Sequence, residues 1–102
     1  TIYGYGATIK VVNSTLIRSM LYFGSETNIE IFGVTFDMNM SNQTTYSDAT
    51  ASSFYNVGVY CNASSNISIC DCKFTNLYND SIFLYQCTGN IKILNNYFFS
   101  PN

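Results

Sequence analysis

Carboxylates are the residues of this chain best suited to chemistry. Two carboxyl groups about 5 Å apart can cleave a glycosidic bond with retention of configuration, and a wider pair can cleave it with inversion. The 102 residues include six carboxylates: Glu26, Glu30, Asp37, Asp48, Asp71 and Asp80. Asp37 and Asp48 flank or lie within a polar segment that breaks the pattern around it, so they are our candidates for catalysis. The remaining four are interpreted as turn formers or solvated strand residues.

The same polar segment, residues 37–56, carries the candidates for ligand binding. It is rich in Asn, Gln, Ser and Thr, has no periodicity, and contains Tyr46, Phe54 and Tyr55. Aromatic rings can stack on sugar rings, while amides and hydroxyls bond the sugar hydroxyl groups. We therefore predict an inserted loop that leaves the body and binds substrate through these three residues. The alternative is a loop that only packs on the body or on a neighbouring subunit.

Composition narrows the class of partner. Hydrophobic residues make up 47 % of the chain and charged residues only 10 %, with a net charge of −2. A surface this poor in charge suits neutral polar partners such as sugars, or copies of itself, and does not suit nucleic acid, which needs a basic stripe. No apolar run approaches the roughly 18 residues of a membrane helix, so we predict no membrane insertion. The N-terminus has neither an initiator Met nor a signal peptide, which suggests a fragment of a longer chain.

The four cysteines are Cys61, Cys70, Cys72 and Cys87. A Cys-x-Cys spacing without any histidine differs from the usual zinc and redox motifs, so we predict no metal and no cofactor. Buried, reduced thiols that fill a core are the favoured interpretation. A disulfide between neighbouring turns stays open, and the sequence leaves the redox state undecided.

A repeat organises the chain. The frame Asn-Ile-x-Ile, four further residues and Phe occurs in three cores, at residues 28–36, 66–74 and 90–98. β-branched and aromatic residues dominate, turns separate the short segments, and no stretch has helical periodicity. The sequence therefore predicts one all-β domain over residues 1–102, interrupted by the insertion at 37–56.

Short strands with corners between them cannot bury an apolar face as isolated hairpins, but they can do so when they coil into a solenoid. Each strand then pairs in parallel with its equivalent one turn further on, about 4.8 Å away. We expect three inward columns, each of like residues, and an amide ladder at one corner. The columns are Ile29, Ile67 and Ile91; Ile31, Ile69 and Ile93; and Phe36, Phe74 and Phe98. The ladder is Asn28, Asn66 and Asn90.

The extended frame Asn-Ile-x-Ile-x-x-Asn-x-Phe, complete at Asn90–Phe98, resembles the repeat of the right-handed parallel β-helix proteins of the pectate-lyase-like superfamily. The opening Ile-Tyr-Gly-Tyr-Gly-Ala-Thr-Ile-Lys is similar to the first coil of bacteriophage tailspike and tail-fibre proteins. The resemblance implies a right-handed, single-stranded parallel β-helix of about three to four coils. It further implies a virion-tail segment that binds host cell-surface polysaccharide, in an extracellular homotrimer.

Enzymatic activity stays open at this point. The calcium-binding acidic cluster of pectate lyases and the His-Gly of polygalacturonases have no counterpart here, so key catalytic residues of any depolymerase would lie largely outside the segment. One alternative function is a secreted polysaccharide lyase or glycoside hydrolase of the same superfamily. Another is a structural shaft or adhesin coil with no affinity for sugar. Several aromatic residues must point outward, where they could line a glycan groove or, as we favour, a subunit interface. They belong to the set Tyr22, Phe23, Tyr60, Phe83, Tyr85, Tyr97 and Phe99.

Overall fold

A computed structural model describes residues 1–13, 19–43, 57–77 and 80–99, and the regular structure in this part of the chain consists of β-strands and one short helix. Its strands are β1 (Ile2–Tyr3), β2 (Thr8–Lys10), β3 (Ser19–Gly24), β4 (Thr27–Phe32), β5 (Thr35–Asp37), β6 (Val57–Asn62), β7 (Ser65–Cys70), β8 (Lys73–Thr75), β9 (Ile82–Tyr85), β10 (Thr88–Leu94) and β11 (Tyr97–Phe99). A short 3₁₀ helix, Met40–Asn42, follows β5.

The strands form three sheets in which neighbours run parallel. The first sheet has the order β1-β4-β7-β10, the second β2-β5-β8-β11, and the third β3-β6-β9. Every strand thus pairs with the strand three places along the chain. Side chains from all three sheets meet in one buried cluster. The predicted all-β class is confirmed, and the stacked parallel sheets are compatible with a parallel β-helix.

The predicted inward columns are present. Ile67 lies opposite Ile29 and Ile91, and Ile69 opposite Ile31 and Ile93. Phe74 lies between Phe36 and Phe98, with ring centroids 4.9 and 5.2 Å away and nearly parallel planes. Repetition of one residue type at one position produces these stacks, because parallel pairing in register places equivalent side chains above one another.

The backbone conformation at the corners between strands explains why the repeat has Asn at these turns. Corresponding corners place Asn28 and Asn66, with φ of 60° and 56°, in the left-handed region that Asn and Gly tolerate best. In the third copy Gly89, with φ of 81°, precedes Asn90, and the pairing register shifts between Thr88 and Ile91. One extra residue in β10 therefore moves Asn90 out of the position that its sequence alignment predicts.

The predicted amide ladder forms only in part. The Asn66 side-chain amide donates to Asn28 Oδ1 at 3.4 Å. Because of the register shift, it is the backbone N–H of Asn90 that donates to Asn66 Oδ1, at 3.1 Å. Asn96 provides a stronger link between layers: its Oδ1 accepts from the backbone N–H of Cys72 at 2.9 Å, and its Nδ2 donates to the carbonyl of Ile69 at 2.8 Å.

The start of the insertion packs on the body instead of leaving it. Asp37 ends β5, Met38 is fully buried in the core, and Asn39 is 2 % exposed. Asn39 Nδ2 donates to the carbonyl of Val11 at 2.9 Å, and Asn39 Oδ1 accepts from Asn42 Nδ2 at 2.7 Å. Residues 37–43 thus differ from the predicted loop because this polar sequence satisfies its own hydrogen bonds against the chain near Val11.

Candidate functional site

Asp37, the candidate catalytic residue within the described part of the chain, has a structural environment. Its Oδ1 accepts from the backbone N–H of Asn39 and from Asn76 Nδ2, both at 2.9 Å. The residues opposite Asp37 on neighbouring strands are Lys10 and Thr75. These contacts hold the corner after β5 to the next layer, and they place no second carboxylate opposite Asp37 to complete a glycosidase pair.

Four other predicted site residues lie outside the described residues. They are the second catalytic candidate, Asp48, and the three binding candidates, Tyr46, Phe54 and Tyr55. Their roles stay predictions.

Two further carboxylates bind hydroxyl groups from the start of the chain. Glu30 Oε1 accepts from Thr1 Oγ1, and Asp71 Oδ2 accepts from the Tyr5 hydroxyl, both at 2.8 Å. The Tyr5 ring passes so close to Gly33 that a Cβ there would lie 2.5 Å from ring atoms. The hydrogen bond to the Asp71 carboxylate raises the pKa of the Tyr5 phenol. Tyr5 therefore links the first strands of the chain to the corner at Asp71. The two residues are 66 positions apart, so the sequence alone does not predict this contact.

Two of the four cysteines pack in the hydrophobic core. Cys61 and Cys72 are fully buried. Burial, reinforced by the nearby Cys87, raises the pKa of Cys61 to about 12, and burial likewise raises the pKa of Cys72. All four cysteines are free thiols. Among the described residues, no group of three or more Cys, Asp or Glu side chains could hold a metal ion.

A polar groove crosses the outer face of the first sheet, over β4, β7 and β10. It has a volume of about 400 Å³ and is lined by Asn28, Glu30, Asn66, Ser68, Asn90 and Lys92. Glu30, Ser68 and Lys92 face one another across the three strands. One carboxylate and one ammonium group therefore border a surface of amides and a hydroxyl, and their charges cancel. Such a groove offers both donors and acceptors without a net charge.

An aromatic pocket lies on the outer face of the third sheet, over β3 and β6. Ser19, Tyr22, Tyr60 and Asn62 line it, and its volume is about 400 Å³. The rings of Tyr22 and Tyr60 meet edge to face with centroids 5.3 Å apart, and Phe83 continues the column 5.0 Å beyond Tyr60. Asn62 Nδ2 reaches the Tyr22 hydroxyl at 3.5 Å. The pocket thus combines ring surface, hydroxyl groups and an amide.

Sequence reasoning found part of this pocket. It placed Tyr22 and Tyr60 among aromatics of which several point outward, but it singled out neither Ser19 nor Asn62. Strand alternation carries the signal for Asn62, because Leu21 and Val59 face the core cluster and residues with the parity of Tyr60 then face outward. Ser19 has the parity of Leu21, so alternation does not predict its place in the pocket. The same alternation turns Phe23 inward, against the core.

A third depression lies between the aromatic pocket and the polar groove. Its volume is about 350 Å³, and its lining consists of Tyr22, Phe23, Gly24, Glu26, Thr27, Asn28 and Ile29. It shares Tyr22 with the pocket and Asn28 with the groove. The three depressions therefore adjoin one another around the corner between β3 and β4.

Residues 1–13, 19–43, 57–77 and 80–99 contain no helix with the length and hydrophobicity of a transmembrane span. Comparisons with protein-family models, with curated proteins and with solved structures give no match.

Proposed function

We propose that this chain is a segment of a right-handed parallel β-helix of three to four coils, of the kind found in viral tailspike proteins, and that it binds cell-surface polysaccharide. Three parallel sheets with a spacing of three strands and one common core support the solenoid. The right-handed sense follows from the strong preference of parallel β-crossovers for that hand.

The aromatic pocket is the observation that carries sugar binding. The apolar face of a sugar ring packs on an aromatic ring, and its hydroxyl groups bond to amides and hydroxyls at the rim. Tyr22 supplies an exposed ring, and Asn62 and Ser19 supply polar groups beside it. Among the described residues that line this pocket none is Lys, Arg, Asp or Glu, which favours neutral ligands over ionic ones.

The inserted segment extends this proposal. The segment is followed in the chain by β6, which begins at Val57 and carries both Tyr60 and Asn62 of the pocket. This order in the sequence supports a role for Tyr46, Phe54 and Tyr55 as further sugar-binding residues.

Cleavage of the polysaccharide is a separate proposal. The hydrogen bonds of Asp37 favour a structural role for that residue, and neither Asp37 nor Glu30 faces another carboxylate on a neighbouring strand. We therefore place any depolymerase chemistry mainly outside this segment. A secreted lyase or hydrolase of the same fold is the alternative, with the same binding surface.

The proposed assembly is a homotrimer in an extracellular virion tail. An apolar column on the outer face of the first sheet supports a contact between chains. It consists of Tyr3, Phe32, Cys70 and Leu94, in register across four strands. Tyr3 and Leu94 are 74 % and 53 % exposed, and such an exposed apolar stripe is typical of an interface. Sedimentation of the wild type and of Leu94→Lys tests it: a trimer lost in the variant supports the assignment.

Retention on immobilised polysaccharides tests the binding function. Purified bacterial surface polysaccharides, neutral and acidic, are coupled to beads and incubated with the wild type, with Tyr22→Ala and with Tyr97→Ala. Tyr97 is a matched control, because it is 55 % exposed against 54 % for Tyr22 and lies on the second sheet. We expect retention on at least one neutral polysaccharide that Tyr22→Ala abolishes and Tyr97→Ala preserves. Retention of none would favour the structural shaft without sugar affinity.

A further inference from the structure

The three adjoining depressions differ in chemistry in an ordered way. The aromatic pocket presents rings and an amide, the middle depression joins ring surface to Glu26 and Thr27, and the groove presents amides, a hydroxyl and two opposite charges. Tyr22 and Asn28 are the shared walls, and both side chains are exposed. A ligand that leaves the pocket past Tyr22 therefore meets the middle depression first and the groove next.

We propose that the three depressions form one continuous site for a neutral, linear oligosaccharide of at least three residues, which bends around the corner between β3 and β4. This inference rests on the proposed sugar-binding function and deepens it. The aromatic pocket holds one sugar residue by ring stacking. The polar groove holds the other end of the oligosaccharide through hydrogen bonds from Asn66, Ser68 and Lys92.

The charges along the path favour a neutral chain. Among the described residues that line the combined site, Glu26 and Glu30 carry negative charge and Lys92 carries positive charge, and these charges sum to −1. Among these described residues a polyanionic glycan would find Lys92 as a cation beside two carboxylates, whereas hydroxyl and acetamido groups find amide or hydroxyl partners in each depression. Binding through neutral groups also predicts an affinity that changes little with salt, because few ions are displaced.

The position of the groove determines which ligands can use it. Its three strands lie about 4.8 Å apart, so Glu30 and Lys92 are separated by about 10 Å of polar surface. A single sugar held in the aromatic pocket cannot contact Ser68 or Lys92, which lie on the other sheet. The groove should therefore contribute to affinity for long fragments and contribute nothing for short ones.

Fragments of graded length provide the test. The neutral polysaccharide retained most strongly on beads is partially hydrolysed in acid, and fragments of one to eight residues are titrated calorimetrically into the wild type at low and high salt. We expect affinity to rise about tenfold or more between one residue and three or four, and then to level off, with little effect of salt. Equal affinity for all lengths would overturn the continuous site while leaving the pocket as a sugar-binding site.

Two variants locate the ends of the ligand. Tyr22→Ala should weaken every fragment about tenfold or more, because Tyr22 lines the first two depressions. The double variant Ser68→Ala with Lys92→Ala should weaken only the long fragments, and Lys73→Ala, an exposed lysine of β8, is its control. A double variant that binds long fragments like the wild type would overturn the inference. Retention of no polysaccharide at all would instead overturn the sugar-binding function, and the continuous site with it.

Discussion

The inward column of the first sheet repeats isoleucine at Ile31, Ile69 and Ile93, whereas the outward column beside it holds Glu30, Ser68 and Lys92. Both columns belong to the same three strands and share one pairing register. The inner residues must fill a fixed space against the other sheets, so one side chain that fits is repeated. The outer residues face no such constraint and can differ at each layer. Fold is therefore encoded in the repetition, and we infer that function is encoded in the variation.

The strongest test of the inner columns is Phe74→Ala. Phe74 is fully buried between two parallel rings, so the substitution should lower the free energy of unfolding by about 3–5 kcal/mol through lost transfer energy and a cavity. Urea unfolding followed by far-ultraviolet circular dichroism measures it. Phe98→Ala is the control: this ring is 48 % exposed and stacks on one side, so we expect less than about 2 kcal/mol. Equal losses would contradict the division into buried and exposed layers.

Substitution of Asn39, at a buried corner, should lower the free energy of unfolding nearly as much. Asn39→Ala removes the partners of the Val11 carbonyl and of the Asn42 amide, and we expect a loss of about 2–3 kcal/mol. Asn28→Ala is a matched control, because both residues have a left-handed backbone, φ 54° and 60°, but Asn28 is exposed. The difference between the two variants in thermal and urea unfolding isolates the buried hydrogen bonds. No difference would mean that backbone conformation alone matters at both corners.

Substitution of two glycines in the third sheet tests the contrast between interior and outer surface, with smaller expected changes in the free energy of unfolding. A Cβ on Gly58 would lie 2.4 Å from the backbone oxygen of Ser81, which cannot move aside, so Gly58→Ala should cost about 1–3 kcal/mol. A Cβ on Gly24 would meet the end of the Tyr22 side chain at 2.9 Å, which can rotate outward. We expect Gly24→Ala to be nearly neutral in the same unfolding assay. A reversed order would contradict the placement of Gly58 in the interior.

The smallest effect concerns the buried thiol of Cys61. The pKa of this thiol rises from 9.0 to about 12 on folding, so the unfolded chain loses its proton first as the pH rises. Stability from Cys61 is complete below pH 9 and is lost progressively between pH 9 and 12. We expect the wild type to lose about 1.4 kcal/mol more than Cys61→Ala between pH 8 and pH 10, because the unfolded thiol ionises over this interval while the folded thiol does not. Parallel pH profiles of the two proteins would contradict this assignment.

The sequence predicts the inner architecture well because repetition is visible without a structure. Ile67 and Phe74 recur at fixed offsets in all three cores, and parallel pairing in register follows from that spacing. The register shift at Gly89 escaped prediction, because an added residue at a corner leaves the Asn-Ile-x-Ile frame intact. Burial of Asn39 also escaped, since its partners lie in a segment 26 to 28 residues earlier in the chain.

The outer surface was harder to predict. Alternation identifies Tyr22 and Tyr60 as outward candidates, but their convergence with Asn62 and Ser19 depends on pairing between β3 and β6, which residues 25–56 separate in the chain. The place of Asp37 beside the insertion makes it a catalytic candidate, but the sequence does not reveal that Asn39 and Asn76 donate hydrogen bonds to its carboxylate. A position in a loop predicts that a side chain is accessible to solvent, whereas its hydrogen-bond partners decide whether it is available to contact a substrate.

Tyr22→Ala tests the division between inner and outer columns most directly when stability and sugar binding are measured on one preparation. The Tyr22 ring is on the outer face and 54 % exposed, so we predict a urea midpoint close to that of the wild type, together with a loss of about tenfold or more in affinity for the retained neutral polysaccharide. Unchanged affinity, or a loss of stability comparable to that of Phe74→Ala, would contradict the account.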